Sequence, residues 1–390
     1  MSSIAGSVTI TPKGFAWHRR GHLWIYRDDL ADADQTLAGE IVEVYDLQRH
    51  RLGTAFFNPR SKIALRMIAT NGDVPDAAFW RARLSDAIER RRPLADRTNG
   101  MRLVSSEADL CPGLIVDRYN DVLVIQTLCL GIDRIKSFII ESLVELVKPR
   151  CIVVRNDASV RAFEGLDPVK QVPYGERPDH IEIHEGDVRL LVDVWDGQKT
   201  GLYLDQRDNR LVAAQYASGE VLDCFAYQGG FALHAARRAA RVTALESSGP
   251  ALQMLRANVA LNGLENITPE EANVFDTLKV YEQRDRRFQM VILDPPAFAK
   301  AKGDIADAAR GYGQLNTRAL RILEPGGYLV TCSCSHNLSE EKFLQILQRA
   351  ASEAQRQVRI IEHRLQPPDH PILLSTPETH YLKCFVLQAI

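Results

Sequence analysis

No apolar run in the chain approaches the ~20 residues that a helix needs to cross a bilayer. The opening stretch MSSIAGSVTITPKGF also lacks an apolar core followed by a cleavage site of the secretory kind. The expected location is therefore the cytoplasm, without membrane contact. Cysteine is sparse: seven residues, an odd number scattered along the chain, do not make the dense disulfide framework of a small secreted protein, and in a reducing compartment they remain thiols. An excess of positive charge is missing as well. With 48 Lys and Arg against 50 Asp and Glu, the net charge of -2 exerts no global pull on nucleic acid. Basic residues do gather locally in WHRRGHLWIYR and IERRRPLADR, where a solvated face is the common explanation.

The 45% hydrophobic and 25% charged residues are those of a soluble globular protein. A chain of 390 residues exceeds one ordinary core, so two or three domains are expected. Up to residue 72 the pattern is of short strands, SVTIT, GEIVEVYD, RLGTAFFN and IALRMIA, broken by turns. A linker helix follows within residues 73–98, where Phe79, Ala82, Leu84, Ala87 and Ile88 recur at helical spacing and Arg90 to Arg92 suit its C-terminus. Residues 99–190 mix strands (MRLVSSEAD, DVLVIQTL, RCIVVRND) with an amphipathic helix, IDRIKSFIIESLVELVK, which packs most simply as an α+β domain. The strand GDVRLLVDVW leads into residues 191–390, where apolar runs alternate with helices in the manner of a mostly parallel, doubly wound α/β sheet.

In such a sheet, ligands bind beyond the carboxyl ends of the strands. The first strand, GEVLDCF, runs through Asp223 into the loop Phe225, Ala226, Tyr227, Gln228, Gly229, Gly230, whose glycines let backbone approach a ligand closely. The phosphate-cradling pattern G-x-G-x-x-G is absent there, which counts against a dinucleotide. Glu246 ends the second strand, where a carboxylate can accept from both hydroxyls of a ribose. Asn273 follows the third and can meet an adenine edge or cap a helix. In series, Asp223, Glu246 and Asn273 suggest an adenosyl ligand without phosphates. The fourth strand ends in Asp294-Pro295-Pro296, which aims carbonyls and a carboxylate into the same crevice.

The fifth strand ends in TCSCSH. A disulfide between Cys332 and Cys334 is disfavoured by their spacing and by a reducing compartment, and a zinc site lacks a second ligand pair, so no metal is expected. Cys332, on the strand, suits core packing. Cys334, at the exposed end, is either a nucleophile facing Asp294 across neighbouring strands or a structural thiol.

Taken together, these residues resemble the class I S-adenosylmethionine-dependent methyltransferases. More closely, the whole chain is similar to the bacterial 23S ribosomal RNA 5-methylcytosine methyltransferases of the RlmI and RlmO type, through GQKTGLYLDQRDNR, LDCFAYQGGFALHAA, LDPPAFAK, TCSCSH and DHPILLSTPETHYLK. The resemblance implies a small β-barrel PUA domain (1–72), a central EEHEE-type domain (99–190) and a C-terminal Rossmann-like catalytic domain (191–390). It implies that S-adenosylmethionine is held by Asp223 and the Phe225, Tyr227, Gly229 loop, with Glu246 on the ribose, Asn273 on adenine, and Asp294, Gln206 and Arg210 close by. Asn273 stands where an Asp is often found. Cys334 becomes the thiolate that adds to carbon 6 of cytosine, and Asp294 stabilises the adduct. The second cysteine that many RNA cytosine-5 enzymes carry after the two prolines is replaced by Ala297-Phe298.

The expected partner is 23S ribosomal RNA presenting an unpaired or flipped cytosine, bound in part by Arg19, Arg20, His22 and Arg27 beside Trp24 and Tyr26. A homodimer is a further expectation. Two rival readings remain: a guanine or adenine N-methyltransferase using the Asp-Pro-Pro motif, which needs no thiol, and a non-catalytic RNA-binding protein of ribosome assembly.

Overall fold

Short strands, the central ones buried along most of their length, build the N-terminal sheet. The computed structural model describes residues 4–70, 72–298 and 305–390. In it six strands lie in the order Trp24–Tyr26, Ile63–Ala69, Arg51–Phe57, Ile41–Tyr45, Gly6–Ile10, Leu30–Ala33. Four of these are the strands expected from the sequence. Their inward side chains, among them Val8, Ile10, Val42, Val44, Phe57 and Leu65, bury one core, each large one contributing about 1.5–3 kcal/mol.

The helix Pro12–Arg19 was not expected. Thr11 caps it by accepting from the Gly14 N–H at 3.2 Å, Pro12 opens it without wasting a donor, and His18 and Arg19 suit its C-terminal end. Eight residues are too few to show a periodic apolar stripe.

The helix Ala77–Arg91 starts where Asp76 accepts from the Phe79 N–H. Its last residue corrects the view of the IERRRPLADR arginines as a solvated face. Arg91 is buried and pairs with both oxygens of Asp109, at 2.8 and 2.7 Å. A five-stranded sheet follows, ordered Val169–Tyr174, Cys151–Asn156, Val122–Thr127, Leu114–Tyr119, Gly100–Ser105, with the helix Lys136–Val147 against the same core as Trp80 and Leu84. Ile181–Glu185 and Val188–Val192 form a hairpin. No helix among the described residues is long and apolar enough to cross a membrane.

The chain divides into two compact units. One comprises Met1–His184, Val192–Leu204 and Pro368–Thr379, the other Glu185–Leu191, Asp205–Pro367 and His380–Ile390. The second unit is built on seven strands: β1 (Glu220–Cys224), β2 (Arg241–Glu246), β3 (Ile267–Glu271), β4 (Phe288–Leu293), β5 (Leu323–Ser333), β6 (Val358–Arg364) and β7 (Lys383–Ala389). Its helices are α1 (Arg207–Ala213), α2 (Gly230–Ala236), α3 (Gly249–Leu261), α4 (Val274–Gln283), α5 (Ile305–Arg321) and α6 (Glu340–Glu353). The spatial order is β3-β2-β1-β4-β5-β7-β6. The strands β1 to β5 pair in parallel, and β7 is antiparallel to both β5 and β6.

Near-continuous apolar strands are what a sheet covered on both faces requires. Leu222, Leu245, Val291, Leu293 and Leu329 are all buried. The order reverses between β1 and β4, so their carboxyl ends open a crevice there. Leu293, the last residue of β4, pairs with Thr331, so β5 runs two residues further, to Ser333. Of the stretch LDPPAFAK, Ala299 and Lys300 lie outside the described residues.

Candidate active site

Asp223 is where the site begins. Its carboxyl is buried on β1 and accepts from the Ala232 N–H, while Oδ2 has no partner. Burial, together with the like charges of Asp294 and Glu246, pushes this carboxyl well above the usual carboxylate range.

The following loop is held in an uncommon backbone. Phe225, Tyr227 and Gly229 have φ of 63°, 50° and 90°, and two of these are bulky residues for which the left-handed region is strained. Hydrogen bonds fix it: Ala226 N–H to Leu245 O at 2.9 Å, Tyr227 N–H to Glu246 Oε2 at 2.8 Å, and Asn258 Nδ2 to Gln228 O at 3.0 Å. A Cβ on Gly230 would stand 2.8 Å from Arg210 Cδ, so a side chain there would have to displace Arg210.

Glu246 ends β2, with Oε1 accepting the Ser248 N–H at 2.8 Å and Oε2 turned to the loop. Asn273 caps α4: its Oδ1 accepts from the N–H groups of Phe275 and Asp276 at 2.9 and 3.3 Å. Capping is one of the two roles open to it in the sequence.

Asp294 leaves the end of β4 half-buried, and its Oδ1 accepts from Gln206 Nε2 at 2.8 Å. The thiols sort themselves by exposure. All seven cysteines are free, six are buried and Cys334 alone is partly exposed. Cys332 sits on β5 opposite Cys384 of β7. Burial and the hydrogen bond to Cys384 push its thiol well above the ordinary range, as befits a core residue. Ser333 and Ser335 flank Cys334 and both lie 3.1 Å from the Tyr312 hydroxyl.

A sheet of this order with acidic strand ends, a glycine loop after β1 and Asp-Pro-Pro after β4 can be compared with known proteins. The family of S-adenosylmethionine-dependent methyltransferases matches residues 167–383, and a PUA-like domain matches residues 8–70. The chain belongs to the S-adenosylmethionine-dependent methyltransferase family. A relative from Alteromonas mediterranea named ribosomal RNA large subunit methyltransferase I is 36% identical over 99% of both chains. One of the same name from Photobacterium profundum is 39% identical over 94% of this chain and 95% of its own. A candidate methyltransferase solved in complex with SAH shares the fold, with a TM-score of 0.86 at 20% identity over 99% of this chain and 100% of that one. A candidate from Streptococcus mutans has a TM-score of 0.85 at 20% identity, with the same coverage. The resemblance read from the motifs thus holds for the family and for the fold.

The methyltransferase cofactor carries an ammonium and a sulfonium, and the residues present fit both charges. An unpartnered buried carboxyl oxygen on Asp223 and two further carboxylates, Glu246 and Asp294, are gathered where the strand order reverses. A cation placed there relieves the like-charge crowding around Asp223. When bound, the cofactor supplies a methyl group on a positively charged sulfur.

Arg210 approaches the glycine loop, as expected, with its side chain 2.8 Å from where a Cβ on Gly230 would stand. It is buried in a pair with Glu185, Nε to Oε2 at 3.0 Å and Nη2 to Oε1 at 2.6 Å, and His234 Nε2 lies 3.3 Å from the same Oε2. Arg210 therefore supports the glycine loop from beneath, an arrangement that depends on Glu185 arriving from the distant hairpin.

Burial raises the Glu185 pKa, and Arg210 and His234 more than offset this, holding it at about 2 against an ordinary 4.5. A depressed carboxyl contributes stability that is complete above about pH 4.5 and lost as pH falls toward 2. Glu185→Gln is expected to lower unfolding free energy by about 3 kcal/mol at pH 7. In denaturant titrations the gap from wild type should narrow between pH 5 and pH 2. A gap independent of pH would contradict this role.

Among the N-terminal candidates, Arg19, Arg20 and Arg27 are exposed. His22 is a correction. It is buried, its Nδ1 accepts the Trp24 N–H at 3.0 Å, and its Nε2 lies 3.1 Å from Glu378, so both ring nitrogens serve the fold. Trp24 and Tyr26 are half-buried, and the Trp24 Nε1–H is used on Glu107 at 2.9 Å.

Sequence reasoning missed Tyr312 and Lys383. The second had a signal: a lone charge inside the apolar strand YLKCFVLQA.

Proposed function

We propose that this methyltransferase forms 5-methylcytosine in large-subunit ribosomal RNA through a covalent bond between Cys334 and carbon 6 of the base. The observation that carries the reading is that Cys334 is the single partly exposed thiol, standing where β5 ends beside the Asp294 end of β4. An amine-methylating enzyme has no use for a thiol there. The relatives named ribosomal RNA large subunit methyltransferase I support the substrate class.

Carbon 5 of cytosine is a weak nucleophile. Addition of the Cys334 thiolate to carbon 6 turns the ring into an enamine, which makes carbon 5 able to take a methyl group. Asp294, steadied by Gln206, accepts from the exocyclic amine and orients the ring as charge shifts toward nitrogen 3. A base then takes the carbon 5 proton, and the electron pair left behind restores the double bond and expels the thiolate. The base must be unpaired or flipped to reach both groups.

In this reading residues 1–72 form a PUA domain that binds RNA, and the enzyme works in the cytoplasm. Exposed Arg19, Arg20 and Arg27 supply phosphate contacts. Arg19→Ala with Arg20→Ala is expected to weaken RNA binding several-fold and to reduce the slope of log affinity against log salt by roughly 1.4 to 1.8, the share of two phosphates. An unchanged slope would remove these residues from the interface.

The function itself is tested by incubating large-subunit ribosomal RNA with the protein and methyl-labelled cofactor, then digesting to nucleosides. Label in 5-methylcytidine is expected. Label in an N-methylated guanosine or adenosine would overturn the assignment.

A further inference from the structure

Lys383 is buried, with 3% of its surface exposed, and is the one charged residue of a mostly apolar strand. It pairs in register with Ser333 across β5 and β7, so its side chain lies at the strand end that delivers Cys334. Nζ donates to the carbonyl oxygens of Ser335 and Leu338, both at 2.8 Å. Those two carbonyls belong to the turn immediately after Cys334, which the lysine therefore shapes. Among the described residues no carboxylate lies within ion-pair distance of Nζ.

A buried amine needs a compensating charge or must give up its proton. Burial lowers the Lys383 ammonium to about 8, while the nearby Cys334 and, less strongly, Glu340 favour its charged form. The other titratable groups around this strand end are Tyr312, raised to about 12 by burial, Asp294, His336 stacked on Tyr381, and the buried Cys332 and Cys384. A neutral amine has two N–H bonds for the two carbonyls and one lone pair for a third neighbour.

We propose that Lys383 is a positioning residue for Cys334, taking the thiol proton and holding the sulfur as the thiolate that attacks the base. This rests on the reading of Cys334 as nucleophile. The step balances within the protein: the Sγ–H bond breaks, an Nζ–H bond forms, and the electron pair left on sulfur becomes the bond to carbon 6. The ammonium keeps its two carbonyl partners throughout. When the adduct collapses, the pair returns to sulfur beside the same ammonium, which eases its departure.

The test follows alkylation of Cys334 by iodoacetamide in the full-length protein, read by mass spectrometry of its peptide, with no RNA and no cofactor present. Lys383→Met is expected to slow alkylation at pH 7 at least ~10-fold and to converge with wild type at high pH, the equivalent of one unit in thiol acidity. Lys383→Arg, which keeps a cation, should stay within about threefold of wild type. A Lys383→Met protein that melts like wild type and shows the wild-type pH profile would overturn the proposal. If that variant does not fold, the wild-type profile decides: half-maximal alkylation below the ~8.5 of a free thiol is expected, and a midpoint at or above it would be fatal. Because alkylation does not depend on which base is methylated, a lysine effect seen without any 5-methylcytidine would condemn the reaction and leave the Lys383–Cys334 pairing intact.

Discussion

Cys334→Ala is expected to reduce methyl transfer to ribosomal RNA by at least ~10³-fold, equivalent to about 4 kcal/mol of lost transition-state stabilisation. Binding of S-adenosylmethionine should change less than about twofold. The size follows from the chemistry: without the thiolate, carbon 5 has no enamine to activate it, and no neighbouring group replaces a covalent bond. Cys332→Ala provides the contrast. Cys332 is buried on β5 against Cys384, so its loss leaves a small cavity costing on the order of 1 kcal/mol of stability with transfer largely kept. Retention of transfer in Cys334→Ala would return that thiol to a structural role and favour methylation of an amine.

Asp223→Asn has the second large effect, and its two halves have opposite signs. Cofactor affinity is expected to fall at least ~10-fold, since a charge-assisted hydrogen bond is worth roughly 1.5–3 kcal/mol. The cofactor-free protein, in contrast, should become more stable. The Asp223 carboxyl is raised far above its ordinary 3.8 by burial and by Asp294. In the pH range between the unfolded and folded values, the folded protein holds a proton that the unfolded chain has lost, so stability declines as pH rises above about 4. Asparagine has no proton to lose. The melting-temperature advantage of Asp223→Asn should therefore grow as pH rises above about 4, while saturating cofactor should stabilise wild type far more than the variant. A destabilised variant with wild-type affinity would refute the assignment of Asp223 to the ligand.

Much of this was legible before the fold was known, for a physical reason. Buried parallel strands must be apolar throughout, so β1, β2, β4 and β5 stand out as runs, and the polar residues that end them, Asp223, Glu246, Asp294 and Cys334, mark the crevice. What escaped was whatever depends on a partner far away in sequence. Arg210 was expected near the cofactor or its loop, but nothing in LDQRDNR reveals the Glu185 that holds it there. His22 sits in a basic cluster, yet Trp24 and Glu378 use both its nitrogens. Asn273 was ambiguous because capping and base recognition ask for the same amide oxygen. The helix Pro12–Arg19 is fixed by one threonine cap and one proline rather than by an apolar stripe.

The central claim is that a thiolate on Cys334 bonds to cytosine before the methyl group moves. It is tested most directly by a ribosomal RNA fragment carrying 5-fluorocytosine, incubated with protein and S-adenosylmethionine and resolved under denaturing conditions. Fluorine on carbon 5 cannot leave as a proton does, so the enzyme is trapped after methyl transfer. The account predicts a covalent protein–RNA species with wild type that is absent with Cys334→Ala. No such species, from a protein that methylates the unmodified RNA, would contradict it.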